Sequence, residues 1–423
     1  MQSDKTLDLI SVASIPLIMT LGNSMLIPIL PTLQTKLGVS SFQISMIITV
    51  YSAVAIVLIP LAGYLSDQFG RKKVIVPSLI ITALGGLISG VSAMMFQDSY
   101  WLILLGRMLQ GAGAAGSAPI VLPLIGDMFY REEEVSSGLG VIETANTFGK
   151  VLSPILGAFL ATFLWYLPFL AIPVFSAISI LLVLFLLKSP KQQTPKKFGV
   201  FLHDVREIFK QKGKWLLAVF TLGGICMFVL FGVLFYLSTT LEEKYGIDGV
   251  VKGLLLAIPL GALCIASYLT GKFIGDKKKL MKWLTFTGLL FAALAVFLAG
   301  YVATLSFLIL ILVAAGVGIG ASLPCLDAFI TAGIEKEQRG TISSLYSSMR
   351  FIGVAAGPPV VSVLMGGSPF VLFGLLAGLT LLGAIVGLFA IRPKTNGKEE
   401  GRESMKQLIW RDLFKGKPRN KAR

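Results

Sequence analysis

Residues 41–73 read SFQISMIITVYSAVAIVLIPLAGYLSDQFGRKK, and this stretch decides the fold class. From 42 to 65 it carries no charge. That is enough for a helix across a bilayer core, which takes roughly 20 apolar residues. The run then closes on Asp67, Gly70, Arg71, Lys72 and Lys73. An apolar helix ending in a basic turn is the pattern of a membrane span reaching the side where Lys and Arg collect.

Working outward, similar runs lie near 7–30, 75–95, 101–126, 136–160 and 164–187. Six more lie near 215–239, 250–271, 281–302, 304–330, 341–365 and 369–391. Backbone groups cannot stay unpaired in hydrocarbon, so each run must be a helix. Composition agrees: 55% of the 423 residues are hydrophobic and 14% charged, with a mean hydropathy of +0.82. A soluble domain carries about 25% charged residues. The sequence therefore predicts an all-α polytopic membrane protein with twelve transmembrane helices. No signal peptide is expected, because the first run is too long for one and lacks a small-residue cleavage site.

The net charge of +15 does not point to nucleic acid, since the bases sit in short stretches between apolar runs. Only Lys36, Lys244 and Lys252 fall in the loops opposite to Arg71, while Arg107, Lys150 and Arg350 lie inside spans. That bias predicts both termini in the cytoplasm. Cys226, Cys264 and Cys325 lie in apolar segments, and His203 is the single histidine, so neither a disulfide framework nor a metal site is expected. No Gly-x-x-x-x-Gly-Lys-Ser/Thr phosphate loop occurs, and no cofactor is expected.

The organisation reads as a first bundle at 1–187, a polar linker at 188–214, a second bundle at 215–391 and a basic tail at 392–423. Phe198, Phe201, Leu202, Val205, Ile208 and Phe209 approximate one helical face. The linker is thus either an amphipathic helix on the cytoplasmic leaflet or a plain solvated connection. Met405, Leu408, Ile409, Leu413 and Phe414 pose the same alternatives for the tail. Two echoes suggest internal duplication: Gly149-Lys-Val-Leu-Ser-Pro154 against Gly353-Val-Ala-Ala-Gly-Pro358, and Arg71-Lys-Lys73 against Lys277-Lys-Lys279. Duplicated halves are a common build for secondary transporters.

Gly63-Tyr-Leu-Ser-Asp67-Gln-Phe-Gly70-Arg71-Lys-Lys73 sets an acid against three bases. Gly63 admits a neighbouring helix, Asp67 can pair with a base across the bundle, and Arg71 can hold a carboxylate in bidentate fashion. Such a cluster could latch one conformation. The segment resembles the loop signature of the major facilitator superfamily. Arg107-Met-Leu-Gln110-Gly111-Ala-Gly113-Ala-Ala115 resembles the span-4 signature of its proton-coupled members. Gly22-Asn23-Ser-Met-Leu-Ile-Pro28-Ile-Leu-Pro31 is similar to the first span of the drug:proton antiporters. Gly149, Pro154 and Gly157 match the family's antiporter motif, with Ser153 and Ala158 where glycines are usual; Gly357 and Pro358 echo it in span 11. The resemblance covers the whole chain. It implies two pseudo-symmetric six-helix bundles working by alternating access, and proton-driven export of hydrophobic or amphipathic compounds, antibiotics among them.

Ionisable residues inside a span cost at least about 2.5–3.5 kcal/mol and so mark function. Glu143 and Lys150 stand seven apart in span 5 with Asn146 and Thr147 on the same side. Seven residues rise about 10 Å, too far for the two to pair, and Arg107 is a candidate partner for Glu143. Glu143 is expected to bind the coupling proton, since burial favours the neutral acid and a nearby cation the ionised one. Arg107, Gln110, Asn146, Lys150 and Arg350 join it as cavity residues, with Asp327 as a second coupling acid or a solvated helix end. Tyr51, Tyr236 and Tyr346 are further cavity candidates. Asp127 reads as a helix-terminal residue, and Glu132 to Glu134, Glu242 and Glu243 as solvated loop acids.

Lys150 and Arg350 keep a rival cargo open, an anionic endogenous product such as a siderophore. A membrane sensor or enzyme is the remote alternative, for want of a catalytic cluster or an attached soluble domain. The expected partners are a small-molecule substrate, protons and membrane lipid, the expected state a monomer, and the expected location a bacterial plasma membrane.

Overall fold

The computed structural model describes residues 3–129, 132–188, 198–275, 277–334 and 339–391. Among these the regular elements are helices, the form in which a chain satisfies its own backbone within lipid. They are α1 (Ser3–Ser24), α2 (Leu30–Leu37), α3 (Ser41–Phe69), α4 (Arg71–Met95), α5 (Tyr100–Ala115), α6 (Ala118–Met128) and α7 (Glu132–Phe163). Then follow α8 (Leu167–Leu186), α9 (Phe198–Glu243), α10 (Gly249–Ile274), α11 (Lys278–Ala299), α12 (Leu305–Gly333), α13 (Arg339–Leu364) and α14 (Pro369–Ala390).

Two crossings are broken helices. The first runs through α1, a 3-10 turn at Ile27–Ile29 and α2, with Pro28 and Pro31 at the two restarts. The fourth is α5 then α6, restarting just before Pro119. Proline lacks the amide hydrogen that a continuous helix needs but suits a helix's first turn. Eleven crossings are long and apolar enough by themselves among the described residues. The twelfth is α7, a 32-residue helix whose middle carries Glu143, Thr144, Asn146, Thr147 and Lys150.

Packing repeats between the halves. In the first, α4 lies against α5 and α8, and α1 against α7 and α8; in the second, α11 lies against α12 and α14, and α9 against α13 and α14. The crossing of α4 and α5 is so close that a Cβ on Gly85 would sit 2.5 Å from the Gly106 carbonyl. Its counterpart, α11 against α12, would place a Cβ on Gly288 2.7 Å from the Gly318 carbonyl. Small residues at such crossings let membrane helices approach where lipid gives no hydrophobic drive. Outward faces carry apolar side chains, with Phe185 80% and Val57 72% exposed to the surroundings.

The seventh crossing, Gly213–Glu243, starts close to the expected 215, but its helix begins earlier. Helix α9 is one 46-residue element from Phe198, so the second half of the expected linker runs into the span without a break. Ile208 is buried and Phe209 packs edge-on against Phe220 at 6.1 Å, with Arg206 and Lys210 exposed. At these positions the apolar face is covered by protein, not left for the membrane surface. Residues 189–197 and the expected tail at 392–423 lie outside the described residues.

Candidate functional site

The halves meet along two seams, α3 against α13 and α7 against α10. Helix α7 is held tightly on both sides. A Cβ on Gly157 would collide with the Met25 carbonyl at the break in the first crossing, and one on Gly149 would stand 3.2 Å from the Leu17 carbonyl. From the other half, Gly253 of α10 brings its backbone onto the Pro154 carbonyl, 2.5 Å from where its Cβ would be. The equivalent glycines of α13 do the same to α9: Gly357 abuts the Phe228 carbonyl and Gly353 that of Gly224.

The charges expected to be functional gather at this seam. Lys150 of α7 is 7% exposed, and its ammonium has no hydrogen-bond partner. Glu143, Arg350, Asp327 and the Cys264 thiol all lie within its electrostatic reach. Glu143 accepts a 3.4 Å hydrogen bond from Asn146, whose Oδ1 accepts one from the Thr20 hydroxyl at 2.6 Å. In the other half Asp327 of α12 and Arg350 of α13 form an ion pair at 3.3 Å, and the Arg350 guanidinium lies 5.7 Å from the Tyr346 ring centre. Two carboxylates and two cations, one of each from either half, therefore lie near enough to act on one another electrostatically. Sequence reading named all four but did not pair Asp327 with Arg350.

Arg107 is elsewhere, inside the first half. It is fully buried and does not meet Glu143. Neutral oxygens hold it instead: its Nε donates to the Ile47 carbonyl at 2.9 Å and Nη2 to Asn23 Oδ1 at 2.7 Å. Its Nη1 donates to the Gly22 carbonyl at 3.3 Å and to Gln110 Oε1. The Tyr51 ring stacks 4.5 Å from the guanidinium carbon. The expected carboxylate partner is replaced by the Ile47 carbonyl of α3, the Gly22 carbonyl of α1 and two side-chain amides. Asn23 was visible only as part of the first-span pattern.

At the Arg71 end of the bundle, Gly70 closes α3 with a φ of 98°. Arg71 reaches Asp67 at 2.6 Å with Nη1 and Asp127 at 3.0 Å with Nε. It thus joins two carboxylates of its own half, one nitrogen to each, instead of gripping one in bidentate fashion. Asp127 is part of the cluster and not simply a helix end. The cluster lines a cleft with Gly340, Thr341 and Ser344 of the other half, and Gly63 lies under the Ser344 hydroxyl. Lys72 caps the end of α8, donating to the Leu187 carbonyl at 2.8 Å.

At the opposite end two expectations need correction. Lys252 lies in α10, 1% exposed, and not in a loop. Glu242 is in α9, 2.6 Å from the Lys252 ammonium, and accepts from the Thr32 hydroxyl of the first half at 3.2 Å. Beside them Ser238 donates to the Ile27 carbonyl at 2.8 Å. Burial of an ion pair needs such added hydrogen bonds. The hydropathy boundary at 239 cuts Glu242 out of its helix, and Lys252 was counted with the loop charges although the run from 250 includes it.

Two bundles related by an internal repeat, with opposed charges held at their seam, define a membrane transporter and not an enzyme. The chain belongs to the Major Facilitator Superfamily, whose sequence pattern matches residues 12–358 and 281–419. It is 53% identical over 395 residues to the bacillibactin exporter of Bacillus subtilis (strain 168), covering 93% of this chain and 98% of that one. It is 25% identical over 370 residues to the class B tetracycline resistance protein of Escherichia coli, 83% of this chain and 86% of that one. In fold it resembles the crystal structure of the human organic anion transporter MFSD10 (TETRAN), with a TM-score of 0.74 at 19% identity, covering 92% of this chain and 100% of that one.

Proposed function

We propose that the protein exports a small acidic product of the siderophore class across a bacterial plasma membrane, driven by protons moving inward. The likeness to the bacillibactin exporter over nearly the full length of both chains carries this reading. It moves the weight from hydrophobic drugs, which the motif resemblance had favoured, to the endogenous acidic cargo. The charge pattern supports the same shift. Ferric ion chelators use hard oxygen donors, which are acidic in the metal-free form. Lys150 and Arg350 are cations placed at the seam where such a cargo would sit.

Coupling falls to Glu143, with Asp327 as its counterpart. Each protonation changes how strongly the carboxylates hold Lys150 and Arg350, so proton and cargo compete for the same two cations. Alternating access would open the seam first on the Arg71 side; the bias of basic residues to the loops of that side supports a cytoplasmic assignment for it and for both termini. The Arg71–Asp67–Asp127 cluster, against Gly63 and the other half, is the proposed latch of that side.

Broad efflux of cationic drugs is the second reading, favoured by the more distant tetracycline resistance relative and by the two carboxylates. Reconstituted proteoliposomes under an imposed pH gradient separate the two. Metal-free bacillibactin and ethidium are offered in parallel. Gradient-driven movement of bacillibactin alone is the expected result; movement of ethidium alone would replace product export with drug efflux.

A further inference from the structure

The Lys150 ammonium is costly where it lies. From Lys150 to the ends of α7 is 13 or 18 residues, about 20 or 27 Å of helix rise. That is beyond the reach of a lysine stem, so the charge cannot escape to water by extending along the helix. Nor does the protein neutralise it by contact. The charged groups facing it are Glu143 of its own helix, Asp327 of α12 and Arg350 of α13, with the Cys264 thiol on α10. None of them gives Lys150 a hydrogen bond. Glu143 is occupied with Asn146, and Asp327 with Arg350. Buried polar groups without partners are rare, and within a membrane they mark a ligand path.

The same lysine lines a narrow apolar cavity walled by Pro154, Leu230, Phe231, Leu234, Leu256 and Leu260. Ser24 and Ile27 complete it, one on each side of the break in the first crossing. The glycine contacts of α7 with Met25 and Gly253 fix this wall. A single cation and an otherwise apolar wall thus share one cavity.

We infer that Lys150 and this cavity form a two-point site for an aryl acid group. The ammonium takes the carboxylate or phenolate, and the leucine and phenylalanine wall takes the ring. The inference rests on the export reading and adds the chemistry that selects the cargo. Arg350 is excluded as the primary anchor because Asp327 already engages it.

The test is binding of salicylate and its uncharged analogue salicylamide to the purified full chain in nanodiscs, by calorimetry. Wild type should prefer salicylate by about tenfold or more, the size of one charge-assisted hydrogen bond. Lys150→Met should lose that preference while still binding salicylamide, and Lys150→Arg should restore it. Equal binding of salicylate by wild type and a folded Lys150→Met protein would overturn the inference, whether or not bacillibactin is transported. A lysine-dependent preference in a protein that moves no bacillibactin would uphold the site and remove only the siderophore cargo.

Discussion

Arg107 and Lys150 are both buried cations of the first half, on neighbouring crossings, and they have opposite surroundings. The guanidinium of Arg107 is filled by four oxygens and a tyrosine face. The ammonium of Lys150 has no hydrogen bond. Arginine's planar fork suits several fixed acceptors at once, whereas lysine carries a compact charge on a flexible stem. The pair teaches that burial alone does not identify a transport residue. A charge whose hydrogen bonds are complete ties α1, α3 and α5 together; a charge left without hydrogen bonds at a seam is the one to test for a ligand.

That contrast breaks first at Arg107. Arg107→Met should strand four neutral oxygens in the core and destabilise the protein by about 3–5 kcal/mol, since each buried acceptor left unsatisfied costs about 1–3 kcal/mol. Thermal unfolding in nanodiscs reads the loss, and a wild-type melting temperature would refute the tie. Lys252 offers an intermediate case, buried yet paired. Glu242→Gln leaves its ammonium without a counter-charge and should cost about 3 kcal/mol, with much of the loss recovered in the double variant Glu242→Gln, Lys252→Met.

Gly157→Ala presses a methyl group into the Met25 carbonyl. It should cost about 1–3 kcal/mol as an overpacked contact, and transport should fall with it because the wall of the seam shifts. Lys150→Met sharpens the comparison by its sign: removing an unpartnered buried charge should leave stability unchanged or raise it by up to about 2 kcal/mol. Destabilisation as large as that of Arg107→Met would mean that the two cations do the same work. Asp127→Asn should change stability by less than about 1 kcal/mol, since the pair is partly exposed. Its effect belongs to the latch, and labelling of a cysteine introduced on the Arg71 side should rise; unchanged labelling counts against the latch.

The crossings were legible because lipid imposes length and apolarity directly on the sequence. The break near Met25 was signalled by Pro28 and Pro31, and the one before Ala118 by Pro119, although neither was read as a break. The partners of Arg107 left no such trace, since backbone carbonyls of Ile47 and Gly22 have no sequence signature and lie 60 and 85 residues away. Glu242 was misplaced for a related reason: a buried charge lowers local hydropathy, so the boundary at 239 falls inside α9, which ends at Glu243. Glu143, Lys150, Asp327 and Arg350 were each visible as misplaced charges. Their meeting depended on which helices adjoin across the seam, and no single span records that.

Proton-coupled export through this seam is tested most directly by following bacillibactin and protons together in proteoliposomes. With wild type, an imposed pH gradient should drive bacillibactin against its own gradient while protons move the other way. Glu143→Gln should still exchange labelled for unlabelled bacillibactin but no longer accumulate it. Full gradient-driven accumulation by Glu143→Gln would contradict the assignment of coupling to that carboxylate.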